Sequence, residues 1–180
     1  MTRRPLLALV LVLAFSGPAA ADFIITGFGG TTFSGSTQTN HATFGGSVGF
    51  LAGKVFGAEA EYGYVPNAFG QANTPATQNS GVGNLSFNLM LAIPVKRVRP
   101  YGSAGLSVLS SNFGTAASEW KFNAGYNVGG GIFIWLAKHV GLRGDLRFFQ
   151  TFGNLEAGSS SISLGKLDYW RGVGGITLKF

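Results

Sequence analysis

From residue 23 onward, apolar and polar side chains alternate with a period of two in stretches of about ten residues, as in strands with two unlike faces. Residues 81–93 show it best. Leu85, Phe87, Leu89, Leu91 and Ile93 fall on one side, and Asn84, Ser86, Asn88 and Met90 on the other. Seven more segments follow the same rule: 23–33, 42–52, 55–64, 100–109, 124–136, 140–151 and 168–180. In 55–64, Phe56, Ala58, Ala60, Tyr62 and Tyr64 oppose Glu59 and Glu61, and in 140–151, Val140, Leu142, Leu146 and Phe148 oppose Arg143, Asp145 and Arg147. In the last segment Trp170, Ile176, Leu178 and Phe180 oppose Arg171 and Lys179.

The connections alternate in length. Gly53-Lys54, residues 94–99 and Lys138-His139 are short, whereas 34–41, 65–79, 110–123 and 152–166 are long, polar and rich in turn-forming residues. Short turns at one end and long loops at the other are the pattern of an outer-membrane β-barrel, with the short turns periplasmic and the long loops facing the medium. An even strand number then brings both termini to the periplasmic end. The prediction is an all-β chain: an eight-stranded antiparallel transmembrane β-barrel over 22–180, preceded by a cleaved signal peptide over 1–21.

The first 21 residues read as an address. Arg3 and Arg4 precede an apolar run from Leu6 to Phe15, and Ala19 and Ala21 supply an A-x-A cleavage site before Asp22. Composition agrees with membrane residence: mean hydropathy is positive and only 11% of residues are charged. Yet after residue 21 no apolar run approaches the roughly 20 residues of a transmembrane helix. A chain that crosses a bilayer without helices has to close a barrel so that every backbone polar group is paired. Cysteine is absent, so an exported domain cannot rely on disulfides. The formal charge of +6 falls to +4 once Arg3 and Arg4 leave. Apart from Lys96-Arg97-Val98-Arg99 there is no basic run, and with an export signal in front nucleic acid is not an expected partner.

The segments Gly57-Ala-Glu-Ala-Glu-Tyr-Gly-Tyr64, Arg99-Pro-Tyr-Gly-Ser-Ala-Gly-Leu106, Gly125-Tyr-Asn-Val-Gly-Gly-Gly-Ile132, Leu142-Arg-Gly-Asp-Leu-Arg-Phe148 and Gly172-Val-Gly-Gly-Ile-Thr-Leu-Lys-Phe180 resemble the small OmpA-like outer-membrane β-barrel family. The resemblance covers essentially the whole mature chain and implies architecture more than activity. It implies a monomer in the bacterial outer membrane, in contact with lipid and lipopolysaccharide. It also implies insertion by the barrel-assembly machinery, which reads a terminal aromatic strand; Trp170, Ile176, Leu178 and Phe180 are the expected assembly signal. Cell-wall tethering is not carried over, because no peptidoglycan-binding domain is expected after Phe180.

The candidate chemistry lies on the predicted inward faces. Glu59, Glu61, Arg143, Asp145, Arg147, Arg171 and Lys179 form one expected lumen ion network, because the third and seventh strands lie opposite each other in an eight-strand ring. Such a barrel is only wide enough to be filled by side chains, so these charges should pair. A structural plug is expected, with a gate or narrow proton or ion path as the alternative.

No catalytic site, metal site or cofactor is expected. His41 and His139 fall at opposite ends and cannot act together, and no His, Cys, Asp or Glu spacing suggests a metal. The glycine clusters at 27–30 and 129–131 lack the following helix of a phosphate loop; strand bending and room for inward aromatics fit them better. Tyr62, Tyr64, Tyr101, Trp120, Tyr126, Trp135, Tyr169 and Trp170 are expected in interfacial girdles, although strict alternation would turn Trp135 inward beside Phe133. The expected role is structural or surface-interacting through the outer loops, which would contact an external ligand. A narrow pore or small-solute conduit is the second reading, and a lipid-modifying enzyme the third.

Overall fold

A computed structural model describes residues 21–35, 41–66, 68, 81–112, 121–157 and 162–180. Eight strands follow one another: β1 (Asp22–Gly35), β2 (His41–Ala52), β3 (Phe56–Pro66), β4 (Gly81–Ala92), β5 (Val98–Asn112), β6 (Lys121–Trp135), β7 (Val140–Ala157) and β8 (Ile162–Lys179). Each pairs antiparallel with its sequence neighbour, and β1 pairs with β8, so the sheet closes into a barrel with no free edge. At the seam Phe23 and Phe180 exchange backbone hydrogen bonds at 3.2 and 2.9 Å. Closure satisfies the backbone of a sheet that faces lipid.

The alternation read from the sequence becomes an outside and an inside. Phe56, Phe87, Leu89, Leu106, Ile176 and Phe180 are exposed on the outer wall, while Glu59, Asn88, Ser107 and Thr177 are buried within. The closed ring makes the inside scarce, so strands can leave their apolar face outward only where lipid will cover it.

Three short turns join β2 to β3, β4 to β5 and β6 to β7. At the first, Gly53 (φ 57°) and Lys54 (φ 64°) both adopt positive φ, and the Val55 amide donates to the Ala52 carbonyl at 3.2 Å. The paired positive φ values are those of a type I′ turn, whose twist matches the strands, and because Ala52 pairs with Phe56 the connection is three residues long. The second is tighter than the basic stretch 94–99 suggests: Val95 and Val98 exchange two backbone hydrogen bonds around Lys96-Arg97.

The strands run further than the sequence pattern at the opposite end. Residues 152–166, expected as a loop, are largely strand, since β7 continues to Ala157 and β8 begins at Ile162. The register shifts twice between Gln150 and Glu156, and there the Thr151 hydroxyl donates to the Gly153 carbonyl at 2.8 Å and accepts from the Leu167 amide at 3.0 Å. A backbone ladder needs no particular side chain, so a Gly/Ser-rich composition hid its continuation. The other long connections shrink for the same reason: Val65 and Pro66 belong to β3, β5 reaches Asn112 and β6 starts at Lys121. Apart from Ala21, the expected signal peptide lies outside the described residues, as do Ala19 of the cleavage site and Trp120.

Candidate functional site

The lumen is a stack of three layers. Nearest the short turns, Ile24, Leu51, Met90, Ala92, Tyr101, Phe133 and Trp135 form an apolar cluster, with Phe133 and Trp135 stacked at 5.9 Å. Nearest the long loops, Val65, Ala68, Val82, Leu109, Phe149, Leu167 and Tyr169 form a second. Charge lies between them.

Glu59 and Glu61 point inward from β3, Arg143, Asp145 and Arg147 from β7, and Arg171 from β8. Arg143 grips Glu59 with both terminal nitrogens and also bonds Asp145 at 3.2 Å. Arg147 reaches Glu61 at 3.1 Å, Glu59 at 3.3 Å and Asp145 at 3.0 Å. Arg171 closes the chain on Glu61 at 2.5 Å. Three guanidiniums thus meet three carboxylates, and the layer carries no net charge. Arg147 and Arg171 are 0% exposed. Charges so far from water are tolerable only when paired, and each guanidinium here meets at least one carboxylate across the lumen.

Aromatic rings complete the packing. Arg143 lies over Tyr101 and Phe133 at 5.1 and 5.2 Å, and Arg171 over Phe28 and Phe149 at 5.0 and 4.8 Å. Tyr101 donates its hydroxyl hydrogen to Asp145 at 2.5 Å and accepts from Arg143 Nε at 2.7 Å. Glycine makes room for this: a Cβ on Gly63 would sit 2.7 Å from Arg171 Nη1, and one on Gly141 2.8 Å from the Trp135 ring. On the β4–β6 wall an uncharged relay continues the layer. Asn127 donates to Asn88 Oδ1 and Ser107, Ser107 pairs with Ser86, and Asn88 donates to Glu59.

Of the seven residues expected in one network, six are brought together. Lys179 stands apart. Its ammonium lies at the short-turn rim, 3.8 Å from Asp22 and 4.8 Å from the centre of the Trp135 ring. Arg99 joins it there, pairing with Asp22 at 3.1 Å and lying 5.7 Å from the same ring. Lys179 lies eight positions along β8 from Arg171 and four beyond Gly175, the register partner of Arg143, and at about 3.4 Å per strand residue this puts it a full layer below the network.

The expected girdle divides. Tyr62 and Trp170 face outward, whereas Tyr101, Trp135 and Tyr169 are buried in the lumen. For Tyr101 and Tyr169 the expectation is corrected: each is out of phase with its lipid-facing neighbours, Leu106 and Trp170, and alternation overrules nearness to a strand end. His41 opens β2 at the long-loop end, and His139 lies in the third short turn, where its Nδ1 is 2.8 Å from the Lys179 carbonyl oxygen. The two do not meet. Trp170, Ile176, Leu178 and Phe180 all face outward, and Asp22 lies at the rim as the partner of Arg99.

A closed eight-strand sheet with apolar wall and polar filling is a membrane barrel, and the family comparison agrees. Residues 6–166 match the model of the outer membrane protein beta-barrel domain. The chain belongs to that family. It is an outer-membrane β-barrel protein. A comparison with curated protein sequences returned no significant match. Among solved structures the barrel is similar to Neisserial surface protein A (TM-score 0.64, 15% identity, covering 89% of this chain and 99% of that one). It is also similar to the N-terminal β-barrel domain of Pseudomonas aeruginosa OprF (TM-score 0.60, 17% identity, 88% and 97% covered). The attachment invasion locus protein Ail of Yersinia pestis is a third (TM-score 0.58, 11% identity, 89% and 98% covered). At these identities the likeness is one of fold.

Proposed function

We propose that this outer-membrane barrel is a sealed scaffold whose work is done at its outer end, a structural and surface-interacting protein and not a conduit or an enzyme. The observation that carries the reading is the neutral ion layer held between two apolar layers, which leaves a permeating ion nothing to follow without separating buried pairs. Both termini would be periplasmic and the long connections would face the medium, after removal of a signal peptide ending at Ala21. Insertion would use the aromatic outward face of β8.

The long connections suggest the kind of contact. Residues 36–40, 67–80, 113–120 and 158–161 contain Ser, Thr, Asn, Gln, Gly and Ala in quantity and one charged residue, Glu119. Ail has been solved with a heparin analogue, sucrose octasulfate. The nearly uncharged loops here would instead offer hydrogen bonds to a neutral polar surface. Replacing residues 69–79 by a Gly/Ser linker of equal length should leave heat-shifted gel migration unchanged and lower the adhesion of expressing cells. Adhesion unchanged after replacement of each long connection in turn would contradict the reading.

A second reading, a narrow water or ion path, is favoured by one feature. Among the described residues Arg171 Nε and Nη1, Arg147 Nε, Asp145 Oδ1, Asn127 Oδ1 and the Tyr169 hydroxyl are buried without a hydrogen-bond partner from the protein. Polar atoms in that state call for water. Isolated waters would satisfy them without a continuous file, and the aromatic layers above and below would interrupt any such file.

A further inference from the structure

The cations of this chain are not spread over it. The lumen layer balances, and at the long-loop end Lys121 and Lys166 are outnumbered by Glu119, Glu156 and Asp168. At the short-turn end Lys54, Lys96, Arg97, Arg99, Lys138 and Lys179 face a single described side-chain carboxylate, Asp22, and Asp22 is already engaged by Arg99 and Lys179. Lys54, Lys96, Arg97 and Lys138 are exposed, and among the described residues none of the four forms an ion pair. Each short turn contributes at least one, so the cations surround the mouth of the barrel instead of lying on one side.

Two features separate this ring from an ordinary solvated surface. The first is depth. Exposed Phe56, Ile93, Val95, Leu136 and Val140 lie within three residues of these cations along the strands, so the ammonium and guanidinium groups begin where the lipid-facing belt ends. That is the level of phospholipid phosphates. The second is backbone geometry. Lys54 (φ 64°) and Lys96 (φ 53°) occupy left-handed positions of tight hairpin turns, where glycine or asparagine is the usual choice. Lysine is placed there against local preference.

We propose that the short-turn end is a seat for anionic phospholipid, in which Lys54, Lys96, Arg97 and Lys138 bind the phosphates of the leaflet that surrounds it. The inference goes beyond the sealed-scaffold reading and does not depend on which way the long loops face. The ring holds the barrel at a fixed depth, with the aromatic and aliphatic edge in hydrocarbon and the cations on the head groups. Attraction of this kind acts at the surface and decays within a Debye length, so it is sensitive to both lipid charge and salt.

The test compares urea unfolding of the folded barrel in phosphatidylcholine vesicles and in vesicles with about three-tenths phosphatidylglycerol, at about 20 mM and about 500 mM salt. The wild-type midpoint is expected to rise with the anionic lipid at low salt and to lose that rise at high salt. The variant K54N/K96N/R97Q/K138Q keeps residues that tolerate the turn geometry, and its midpoint is expected to be the same in both lipids. A charge-preserving variant, K54R/K96R/R97K/K138R, should behave like the wild type. Failure of the wild type to distinguish the two lipids, or a full anionic-lipid effect in the neutralised variant, overturns the proposal. So does a neutralised variant that keeps the lipid effect while losing retention on isolated peptidoglycan sacculi, since the ring would then serve a polymer and not the bilayer.

Discussion

Arg147 and Glu61, 86 residues apart in sequence, meet inside the barrel at 3.1 Å with both side chains essentially inaccessible to water. Glu61 also accepts from Arg171 at 2.5 Å, so one carboxylate answers two guanidiniums from two strands. Replacing it by an amide leaves both cations short of charge in a place water cannot easily reach. Glu61→Gln should lower the unfolding free energy in lipid vesicles by about 3–5 kcal/mol, the usual cost of breaking a buried pair from one side. Lys179→Ala, at the rim, should cost less than about 1 kcal/mol. Equal effects of the two would mean that the lumen layer and the rim are equivalent, contrary to the layered arrangement.

Tyr101 is held by its hydroxyl as much as by its ring. Tyr101→Phe keeps the contact with Phe133, whose ring centre is 4.8 Å away, and removes the bonds to Asp145 and Arg143. The expected loss is about 1.5–3 kcal/mol, the range for hydrogen bonds to charged groups. A urea titration in vesicles measures it; a change below about 0.5 kcal/mol would show that water replaces the hydroxyl without penalty.

Trp170 faces lipid and Trp135 faces the lumen. In variants that keep one tryptophan each, bromine-labelled acyl chains should quench the Trp170 emission strongly and the Trp135 emission weakly. The reverse order would invert the faces of the barrel.

Phe180 packs on Phe23 across the seam, with ring centres 6.3 Å apart, and its outward face continues that of Leu178 and Ile176. Removing Phe180 should slow insertion in cells markedly while changing the stability of the protein that does fold by little more than one side chain's burial, about 1.5–3 kcal/mol. Normal insertion without it would remove the residue from the assembly signal.

These predictions draw on a site that was partly readable from the chain. Alternation alone separated Glu59 and Glu61 from Ala58, Ala60 and Tyr62, because a period of two leaves no other face for them. It also placed Arg143, Asp145, Arg147 and Arg171 inward, and the eight-strand count set β3 across from β7. What alternation cannot supply is height. Lys179 shares a face with Arg171 but sits eight positions along β8, and its partner Asp22 is fixed only by closure of the ring. Tyr101 and Tyr169 were misplaced for a different reason: aromatic residues near strand ends suit the interface, but their phase turns them inward. The extension of β7 and β8 was hidden because backbone pairing leaves little trace in a Gly/Ser-rich stretch, whereas the Gly53-Lys54 turn was visible in two residues.

The sealed lumen is the central claim, and conductance across a planar bilayer tests it most directly. The purified, folded barrel should give no reproducible unitary steps at moderate potentials. Discrete channels in the wild type, altered or abolished by Glu59→Gln or Arg143→Gln, would contradict the account and put an ion path where the plug is drawn.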